Sequence, residues 1–363
     1  MGLQPGLVQL FDSAKPVLMF GGDIEDPNSR VTKSIQFYTV DYSGNVFIGN
    51  DAEFTIDKYD PQGRFLAALG HKGQGPGEFN GAALFPSFAV NSRGMVFTST
   101  IRSKIAVLNP DGSFNREVEF PPEVKGSRVG LIRVDPDDGV HVIFYGTDKG
   151  VMLTRFSPDL KVSAVYHRAP GRPHNFLGDG LRFLPDLDFD QRGNVYVTDS
   201  YDYRVYVYSP EGKPVRTFDR PFRKNKLVIQ DLVLFAGGEE EFVDFSKDPD
   251  SVKMIQGLPE KDSYVPCVFG VNVVEDGFLL WTSDRDAEFR YYVDVYDRDF
   301  RLIGRSSAYN YISRNFAVVR GDLIYLPDLG TDDMALKKKA GRLTPFNIPY
   351  RLPVYRLRAS TKS

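Results

Sequence analysis

The sequence predicts an all-β protein, a six-bladed β-propeller whose four-stranded antiparallel blades are closed into a ring by an N-terminal strand. Three observations support this fold class. A strand–turn–strand pattern recurs along the chain, its turn glycines keep a regular period, and the last copy lacks a fourth strand. Repeats of roughly 40 to 50 residues are the sequence mark of propeller blades. We therefore predict that residues 1–363 form a single domain.

The clearest copy of the pattern is LDFDQRGNVYVTDSYDYRVYVYSPEGKPVRTF, residues 187–218. Apolar and polar residues alternate through NVYVTD and RVYVYS, and turns containing Gly193 and Gly212 separate these segments from their neighbours. Alternation with a period of two predicts half-buried strands, and short glycine- and proline-containing segments predict tight turns. This copy therefore predicts one blade of four strands.

Five further copies begin with YTVDYSGNVFIGND, FAVNSRGMVFTST, IRVDPDDGVHVIFYG, VNVVEDGFLLWTSD and FAVVRGDLIYLPD. Their first-turn glycines recur at intervals of roughly 45 to 55 residues, but the interval from Gly193 to Gly277 is nearly double. We interpret residues 219–268 as an inserted excursion between blades four and five, because SKDPDSVKMIQGLPEKDSYVP contains neither a second turn nor an alternating strand. A decayed blade in this segment, which would make seven, is the alternative.

The ends of the chain predict how the ring closes. The last copy stops after its third strand, VYRLRA, and the segment AKPVLMFGG, residues 14–22, precedes the first copy without a turn of its own. An unpaired strand edge and an open blade face are unfavourable in a propeller. The N-terminal segment is therefore predicted to supply the fourth strand of the last blade.

Composition excludes several classes of protein. The chain is 42% hydrophobic and 26% charged with a formal net charge of -3, which is typical of a globular protein and gives no general field for nucleic acid. No apolar run is long enough to predict a transmembrane segment. The start, MGLQPGLVQLFDSAK, shows no signal-peptide pattern. The single cysteine, Cys267, leaves the redox compartment open.

These residues also carry a resemblance. The motif GNVYVTDS…RVYVYSPEGKPVRTF, together with KGQGPGEFN after another copy, resembles the NHL-repeat propellers, and more narrowly the bacterial six-bladed β-propeller proteins with a GxGPGEF linker after the first blade. The resemblance covers nearly the whole chain and implies an extracytoplasmic, periplasmic or secreted protein. It is specific for the fold and says little about function, because propellers include both binding modules and enzymes.

The linker GHKGQGPGEFNG, residues 70–81, has the glycines of a phosphate loop but precedes a predicted strand. A phosphate loop leads into a helix, whose N-terminal N–H groups hold the anion. A second linker, YHRAPGRPHNFLGDG from Tyr166, repeats the arrangement at the same position of another blade. Both linkers are therefore predicted to be scaffold, with Phe79 and Phe176 packed between blades.

Carboxylates and histidines are the candidate metal ligands of the sequence. Asp51, Asp199, Asp284 and Asp328 follow second strands, and we predict that Asp199 caps its own loop and pairs with Arg204. The four histidines are His71, His141, His167 and His174, and their spacing matches no zinc motif. Related propeller enzymes, the amidating lyases and lactonases, hold a metal in the central channel. We expect no metal or other cofactor, with Ca or Zn as the alternative.

Connection parity predicts a working face. In an antiparallel blade, the loops between second and third strands emerge on the same side as the links between blades. This side, the loop face, carries the long segments 70–86, 166–186, 219–268 and 331–350. The opposite side, the short-turn face, carries the glycine turns. Long loops on a rigid base are where binding residues concentrate. The candidate binding residues are His71, Lys72, Arg168, His174, Lys337, Lys338 and Lys339.

The sequence thus predicts a noncatalytic binding scaffold that meets a protein or other macromolecular partner, with no nucleic acid expected. After Asp333 every charged residue is basic, which suits an acidic partner. A propeller hydrolase or lyase with a divalent metal in the central channel is the competing hypothesis.

Overall fold

The structure is a computed structural model that describes most of the blade strands and turns. The described residues are 7–11, 15–20, 37–50, 53–79, 87–100, 104–146, 150–169, 185–199, 201–228, 253, 264–286, 291–309, 317–326 and 352–358. They form strands β1 to β25 and one 3₁₀ turn, Pro122–Val124. No helix of this described part is long and apolar enough to cross a bilayer.

The first half of the chain contains two N-terminal strands and three blades. The N-terminal strands are β1 (Leu7–Val8) and β2 (Leu18–Phe20). Blade 1 contains β3 (Tyr38–Val40), β4 (Val46–Asn50), β5 (Thr55–Tyr59) and β6 (Phe65–Leu69). Blade 2 contains β7 (Phe88–Val90), β8 (Val96–Thr100), β9 (Lys104–Leu108) and β10 (Phe114–Glu119). Blade 3 contains β11 (Arg128–Val134), β12 (Val140–Gly146), β13 (Gly150–Phe156) and β14 (Val162–Ala169).

The second half completes the ring with three more blades. Blade 4 contains β15 (Leu187–Phe189), β16 (Val195–Thr198), β17 (Arg204–Tyr208) and β18 (Pro214–Asp219). Blade 5 contains β19 (Val268–Val274), β20 (Gly277–Arg285), β21 (Tyr291–Asp297) and β22 (Leu302–Tyr309). Blade 6 contains β23 (Val318–Arg320), β24 (Leu323–Tyr325) and β25 (Leu352–Arg356).

The predicted closure is confirmed. Strand β2 pairs antiparallel with β25 and becomes the fourth strand of blade 6, with Leu18 opposite Val354 and Phe20 opposite Leu352. Strand β1 adds a contact that the sequence did not predict, because it pairs in parallel with the outer strand β22 and makes blade 5 five-stranded. The N-terminal segment therefore fastens both of the last two blades.

Six apolar clusters fill the spaces between blades, one at each interface of the described ring. Phe20, for example, packs between blade 6 and blade 1, and Leu10 and Phe11 pack between blades 5 and 6. Each sheet buries both faces against neighbours, which is why a single blade would not be stable alone. The six-bladed ring follows from this packing.

Polar side chains join neighbouring blades near the central channel, which is the space that the first strands of the blades surround. The Ile132 amide donates to Ser87 Oγ at 2.8 Å between blades 2 and 3. Asn272 Nδ2 donates to the Ala317 carbonyl at 2.7 Å between blades 5 and 6, and Tyr38 Oη donates to the Tyr325 carbonyl at 2.9 Å between blades 1 and 6. These bonds satisfy buried polar groups that apolar packing alone would leave unpaired.

The first turn of a blade is held by the side chain that precedes it. Asp41 Oδ1 accepts hydrogen bonds from the amides of Ser43 and Asn45, and Asn91 and Asp190 do the same in blades 2 and 4. The residue in the left-handed conformation is Gly44, Gly94 or Gly193 in these blades. Blade 3 corrects the expectation of a first-turn glycine, because Asp138 has the positive φ and Gly139 follows it.

A β-bulge occurs at the start of the outer strand in blades 1 to 5. The register of each outer strand skips one residue, as when Phe65 pairs with Tyr59 and Ala67 pairs with Lys58. The skipped residues are Leu66, Asn115, Ser163, Val215 and Ile303. Bulges twist an edge strand away from further pairing. In blades 1 to 4 they therefore protect the perimeter of the ring against edge-to-edge association, whereas the bulged strand of blade 5 is covered by β1.

The turn between third and fourth strands contacts the preceding blade. A Cβ atom at Gly112 would lie 2.7 Å from Leu69 Cα and 2.8 Å from the Gly70 nitrogen, and the φ of Gly112 is +84°. In blade 5 the left-handed position is instead taken by Phe300, whose ring stacks on Tyr196 at 6.0 Å. The glycine turns are therefore part of the packing between blades.

We expect Gly112→Ala to destabilise the protein by about 2–5 kcal/mol, because a left-handed alanine and a backbone contact are both unfavourable. Gly126→Ala is the matched control, since Gly126 has a φ of +83° and nothing within 4 Å of its added Cβ. It should cost only about 1–2 kcal/mol. Chemical denaturation of both variants measures the difference, and equal losses would show that the contact with blade 1 does not matter.

Candidate functional site

Charged side chains from three blades gather around the central channel. Arg133 lies in β11 of blade 3, and Arg320 ends β23 of blade 6. Asp188 lies in β15 of blade 4, and Asp186 immediately precedes that strand. Arg133 and Arg320 both act electrostatically on Asp188. This set, which we call the channel cluster, consists of Arg133, Asp186, Asp188 and Arg320.

Asp186 connects three blades. Its Oδ2 accepts the Val271 amide of blade 5 at 3.1 Å, and its Oδ1 lies 3.6 Å from a guanidinium nitrogen of Arg133 in blade 3. Oδ1 is buried and has no hydrogen-bond partner among the described residues. Burial raises the pKa of Asp186 to about 7, because the loss of solvent outweighs the attraction of Arg133. This carboxyl is the most strongly perturbed acid of the channel cluster.

Asp188 repeats this arrangement two residues further along the strand. Its Oδ2 accepts the Val273 amide at 2.8 Å, and burial raises its pKa although Arg320 lowers it. Residues two apart on a strand point to the same side, so both carboxylates reach the same neighbouring strand, β19. The two aspartates therefore bridge blades 4 and 5.

Tyr42 lies at the end of the central channel that opens on the short-turn face. Its Oη donates to the Val134 carbonyl of blade 3 at 3.1 Å, and the Arg320 guanidinium carbon lies 4.9 Å from its ring centroid. Arg320 Nε also donates to the Val40 carbonyl at 3.1 Å. Tyr42 thus joins blade 1 to blade 3 across blade 2, while Arg320 ties blade 6 to blade 1.

The channel cluster does not fit a Ca or Zn ion. Calcium takes six or more converging oxygens, and zinc prefers histidine and cysteine ligands. The Asp186 and Asp188 carboxylates are bonded to backbone amides, and two guanidinium groups beside them would repel a divalent cation. No group of three or more His, Cys, Asp or Glu residues in the described ranges is arranged to hold a metal.

The glycine-rich linker folds as a compact turn. Glu78 folds back so that Oε2 accepts the Gly75 amide at 2.6 Å, and Oε1 lies 3.0 Å from His71 Nε2. These bonds, first that of Gly75 and then that of His71, lower the pKa of Glu78. Phe79 packs against the cluster between blades 1 and 2, as predicted. The linker is therefore organised by its own side chains.

Three of the seven predicted binding residues, His71, Lys72 and Arg168, lie in the described part of the chain. His71 is mostly exposed beside Glu78, and the Lys72 ammonium lies 4.9 Å from the Phe54 ring centroid. The backbone of Arg168 pairs with Met152 near the end of β14. His174, Lys337, Lys338 and Lys339 lie outside the described residues, as do Asp51, Asp328, Phe176 and most of the predicted excursion and 331–350 loop. Among the predicted binding residues that the structure describes, His71 and Lys72 are neighbours in the linker after blade 1.

His141, one of the four histidines of the sequence, lies in strand β12 of blade 3. His141 is fully buried, with Nε2 2.9 Å from Asp135 Oδ2 and its ring stacked on Tyr166. Burial lowers the pKa of His141 although Asp135 opposes this change. Its role is therefore structural, as expected for a hydrogen-bonded histidine.

The Asp199 prediction is right about the cap and wrong about the partner. Asp199 Oδ1 accepts the Tyr201 amide at 2.8 Å, which confirms the loop cap. Arg204, however, pairs with Asp219 at 3.5 Å, and Asp199 Oδ2 accepts the Tyr206 hydroxyl instead. Arg204 and Asp219 lie opposite each other on β17 and β18, so the cross-strand neighbour is preferred over the loop.

No protein-family model and no curated protein sequence matches this chain. Among solved structures, a Bacteroides fragilis protein whose name suggests export is 15% identical and has a TM-score of 0.56, over 98% of this chain and 99% of its own. The likeness shows the fold.

Two other propeller structures are similar over most of their lengths. Virginiamycin B lyase from Staphylococcus aureus is 11% identical with a TM-score of 0.46, over 90% of this chain and 97% of its own. Regucalcin, a calcium-binding protein from Agrobacterium tumefaciens, is 13% identical with a TM-score of 0.47, over 99% and 98%. These likenesses are too distant to support an argument about function.

Proposed function

We propose that the protein is a noncatalytic binding scaffold that presents its loop face to a protein or other macromolecular partner. The observation that carries the proposal is the inequality of the two faces. Three of the links between successive blades, residues 70–87, 170–186 and 220–267, are long, and connection parity assigns them to the loop face. On the other face, turns of a few residues are closed by Asp and Asn side chains. Connections between strands need only two to six residues, so the long segments exceed what the fold requires.

The channel cluster supports a scaffold rather than a catalyst. The Oδ2 atoms of Asp186 and Asp188 accept hydrogen bonds from backbone amides of blade 5, and Arg320 donates a hydrogen bond to the Val40 carbonyl of blade 1. A general acid or base must reach a substrate atom within hydrogen-bond distance. Groups that hold blades together are poorly suited to that role. Elemental analysis by atomic emission tests the point, because stoichiometric Ca or Zn in protein purified without chelator would favour the metal-dependent hydrolase or lyase.

The proposal includes the family and the location. We place the chain with the NHL-repeat-like bacterial propellers because of its GQGPGEF linker and its blade motif. We also propose an extracytoplasmic location, which the name of the Bacteroides fragilis protein supports. Fractionation of the source cells followed by immunodetection tests the location, and recovery with the cytoplasmic fraction would contradict it.

Neutralising Lys337, Lys338 and Lys339 to glutamine should slow association with an acidic partner and weaken its salt dependence, because exposed charges act mainly on the encounter rate. His71, Lys72, Arg168 and His174 are proposed to lie near the same contact. The partner is first captured by cross-linking in the source cells and then purified. Surface plasmon resonance over a range of salt concentrations measures its association rate.

Hydrogen exchange with the purified partner locates the contact. The expected result is protection of loop-face segments, including residues 70–79. Protection confined to turns such as Asp41–Asn45 and Asp190–Asn194 would contradict the proposal.

A further inference from the structure

Residues 220–226, RPFRKNK, form a basic segment on the loop face that contains four basic residues and no acidic one. The segment begins where the outer strand β18 ends, so connection parity places it on the loop face. Its contacts agree. Lys224 Nζ lies 2.9 Å from Asp202 Oδ1 in the second loop of blade 4, and Asn225 Nδ2 donates to the Ser283 carbonyl near the end of β20 at 2.7 Å.

The basic segment is held firmly by residues that alternate with its exposed charges. The Phe222 ring stacks on Tyr203 at 5.0 Å, and Arg220 lies over the same tyrosine at 4.4 Å while bonding to the buried Asp294. The Val265 amide donates to the Asn225 carbonyl at 3.0 Å, and Leu227 is buried between blades 5 and 6. The backbone therefore cannot rearrange freely to bury its charges elsewhere.

The remaining side chains, Arg223, Lys224 and Lys226, are exposed. Lys224 is paired with Asp202, but no carboxylate of the described part of the chain lies within ion-pair distance of Arg223 or Lys226. Two cations on a firmly held backbone, with no carboxylate partner among the described residues, lose little backbone freedom when they meet an anion. On a protein with a formal net charge of -3, such a cluster is a local departure from the overall charge.

We propose that the basic segment is the contact site for an acidic polypeptide segment of the partner, an inference that rests on the proposed function and makes it specific. Carboxylates of an extended acidic peptide can pair with Arg223 and Lys226, and the guanidinium of Arg223 can hold one carboxylate with two parallel hydrogen bonds. Preorganised charges of this kind accelerate encounter and discriminate against basic partners.

An acidic polypeptide fits better than a nucleic acid. Proteins that bind single strands combine positive charge with aromatic rings on which bases stack. Here the rings beside the basic segment are already used, because Phe222 and Arg220 both lie against Tyr203, and Lys226 lies 5.9 Å from the Tyr264 ring centroid. Among the described residues, the rings beside the segment therefore already contact its own side chains, and its exposed groups are cations.

The test measures binding of a fluorescein-labelled oligoglutamate peptide by fluorescence anisotropy. The full-length protein is compared with Arg223→Glu/Lys226→Glu. The matched control is Arg192→Glu/Lys213→Glu, which makes the same change in net charge on exposed turns of the short-turn face. We expect the loop-face variant to bind about tenfold more weakly and the control to change less than about threefold. Raising salt from about 50 to about 200 mM should weaken wild-type binding, because the Debye length shortens.

Three results would overturn the inference: no binding of oligoglutamate beyond that of oligoglutamine, equal losses in the two double variants, or tighter binding of an oligothymidine of equal length. Equal losses would show that net charge acts without a site. A failure of this inference can be told apart from a failure of the proposed function. If a native partner still protects the loop face from hydrogen exchange while oligoglutamate fails to bind, only the acidic-peptide assignment is wrong.

Discussion

Deleting residues 1–22 is expected to destabilise the entire ring rather than one blade. The deletion removes β2 from blade 6 and β1 from the edge of blade 5, and with them the buried side chains of Leu10, Phe11 and Phe20. Two blades then lose their outer pairing, and the edge of β25 is left open. Thermal unfolding followed by circular dichroism measures the effect, and a truncated protein that melts with the full-length chain would refute this account of closure.

A point substitution tests the same closure without truncation. Phe20→Ala should cost about 3–5 kcal/mol, because the ring is buried among residues of blades 6 and 1 and its loss leaves a cavity. Met19→Ala is the matched control, since the neighbouring side chain is 39% exposed and should contribute within about 0.5 kcal/mol. Urea denaturation of both variants gives the comparison, and similar losses would mean that β2 does not bury Phe20 as the structure shows.

Asp186→Asn should change how stability depends on pH. The pKa of Asp186 is raised to about 7 in the folded protein, whereas an unfolded chain would show its ordinary value of about 4. The folded state therefore holds the proton more tightly, and wild-type protein loses stability as pH rises from about 4 to about 7. Asparagine does not titrate, so the stability of the variant relative to wild type should rise over this window by up to about 4 kcal/mol.

Asp111→Asn is the control of opposite sign. Hydrogen bonds from Ser113 lower the pKa of Asp111, so this carboxyl stabilises the fold above its ordinary pKa of about 4, and that stabilisation is lost as pH falls below this value. The stability of Asp111→Asn relative to wild type should therefore fall as pH rises to about 4 and then stay level, whereas the Asp186→Asn difference keeps rising to about pH 7. Denaturation curves at about pH 3, 4, 6 and 8 compare the two variants with wild type. A flat difference between Asp186→Asn and wild type would contradict the raised pKa.

The repeat made most of the fold predictable from sequence. Gly44, Gly94 and Gly193 mark turns that require a left-handed residue, and the alternation on either side of them gives the strands and their order. Positions where another residue takes that conformation were harder to predict. Asp138 and Phe300 adopt positive φ because side-chain bonds and aromatic packing stabilise them, and no local pattern records either cause.

Two features that arise from contacts between distant segments were not predicted. Strand β1 contains two residues and lacks a turn signal, and its partner β22 lies in blade 5, with four complete blades between them along the chain. The channel cluster was missed for a similar reason. Asp186 and Asp188, in PDLDFD, follow the ordinary alternation of a strand, and their bonds to Val271 and Val273 exist only once two blades meet. Charged residues in a first strand are the signal that could have indicated them.

The position of β2 has a consequence for synthesis of the protein. A ribosome makes Leu18–Phe20 before any of the six blades, but the strand that pairs with it, Leu352–Arg356, is made only after the first five blades. Every intervening blade can be complete while the apolar residues of β2 still have no sheet to join. Unpaired strand edges of this kind favour aggregation. A nascent chain of this propeller therefore depends on protection of its N-terminal strand, by chaperones or by rapid completion, until the final blade emerges.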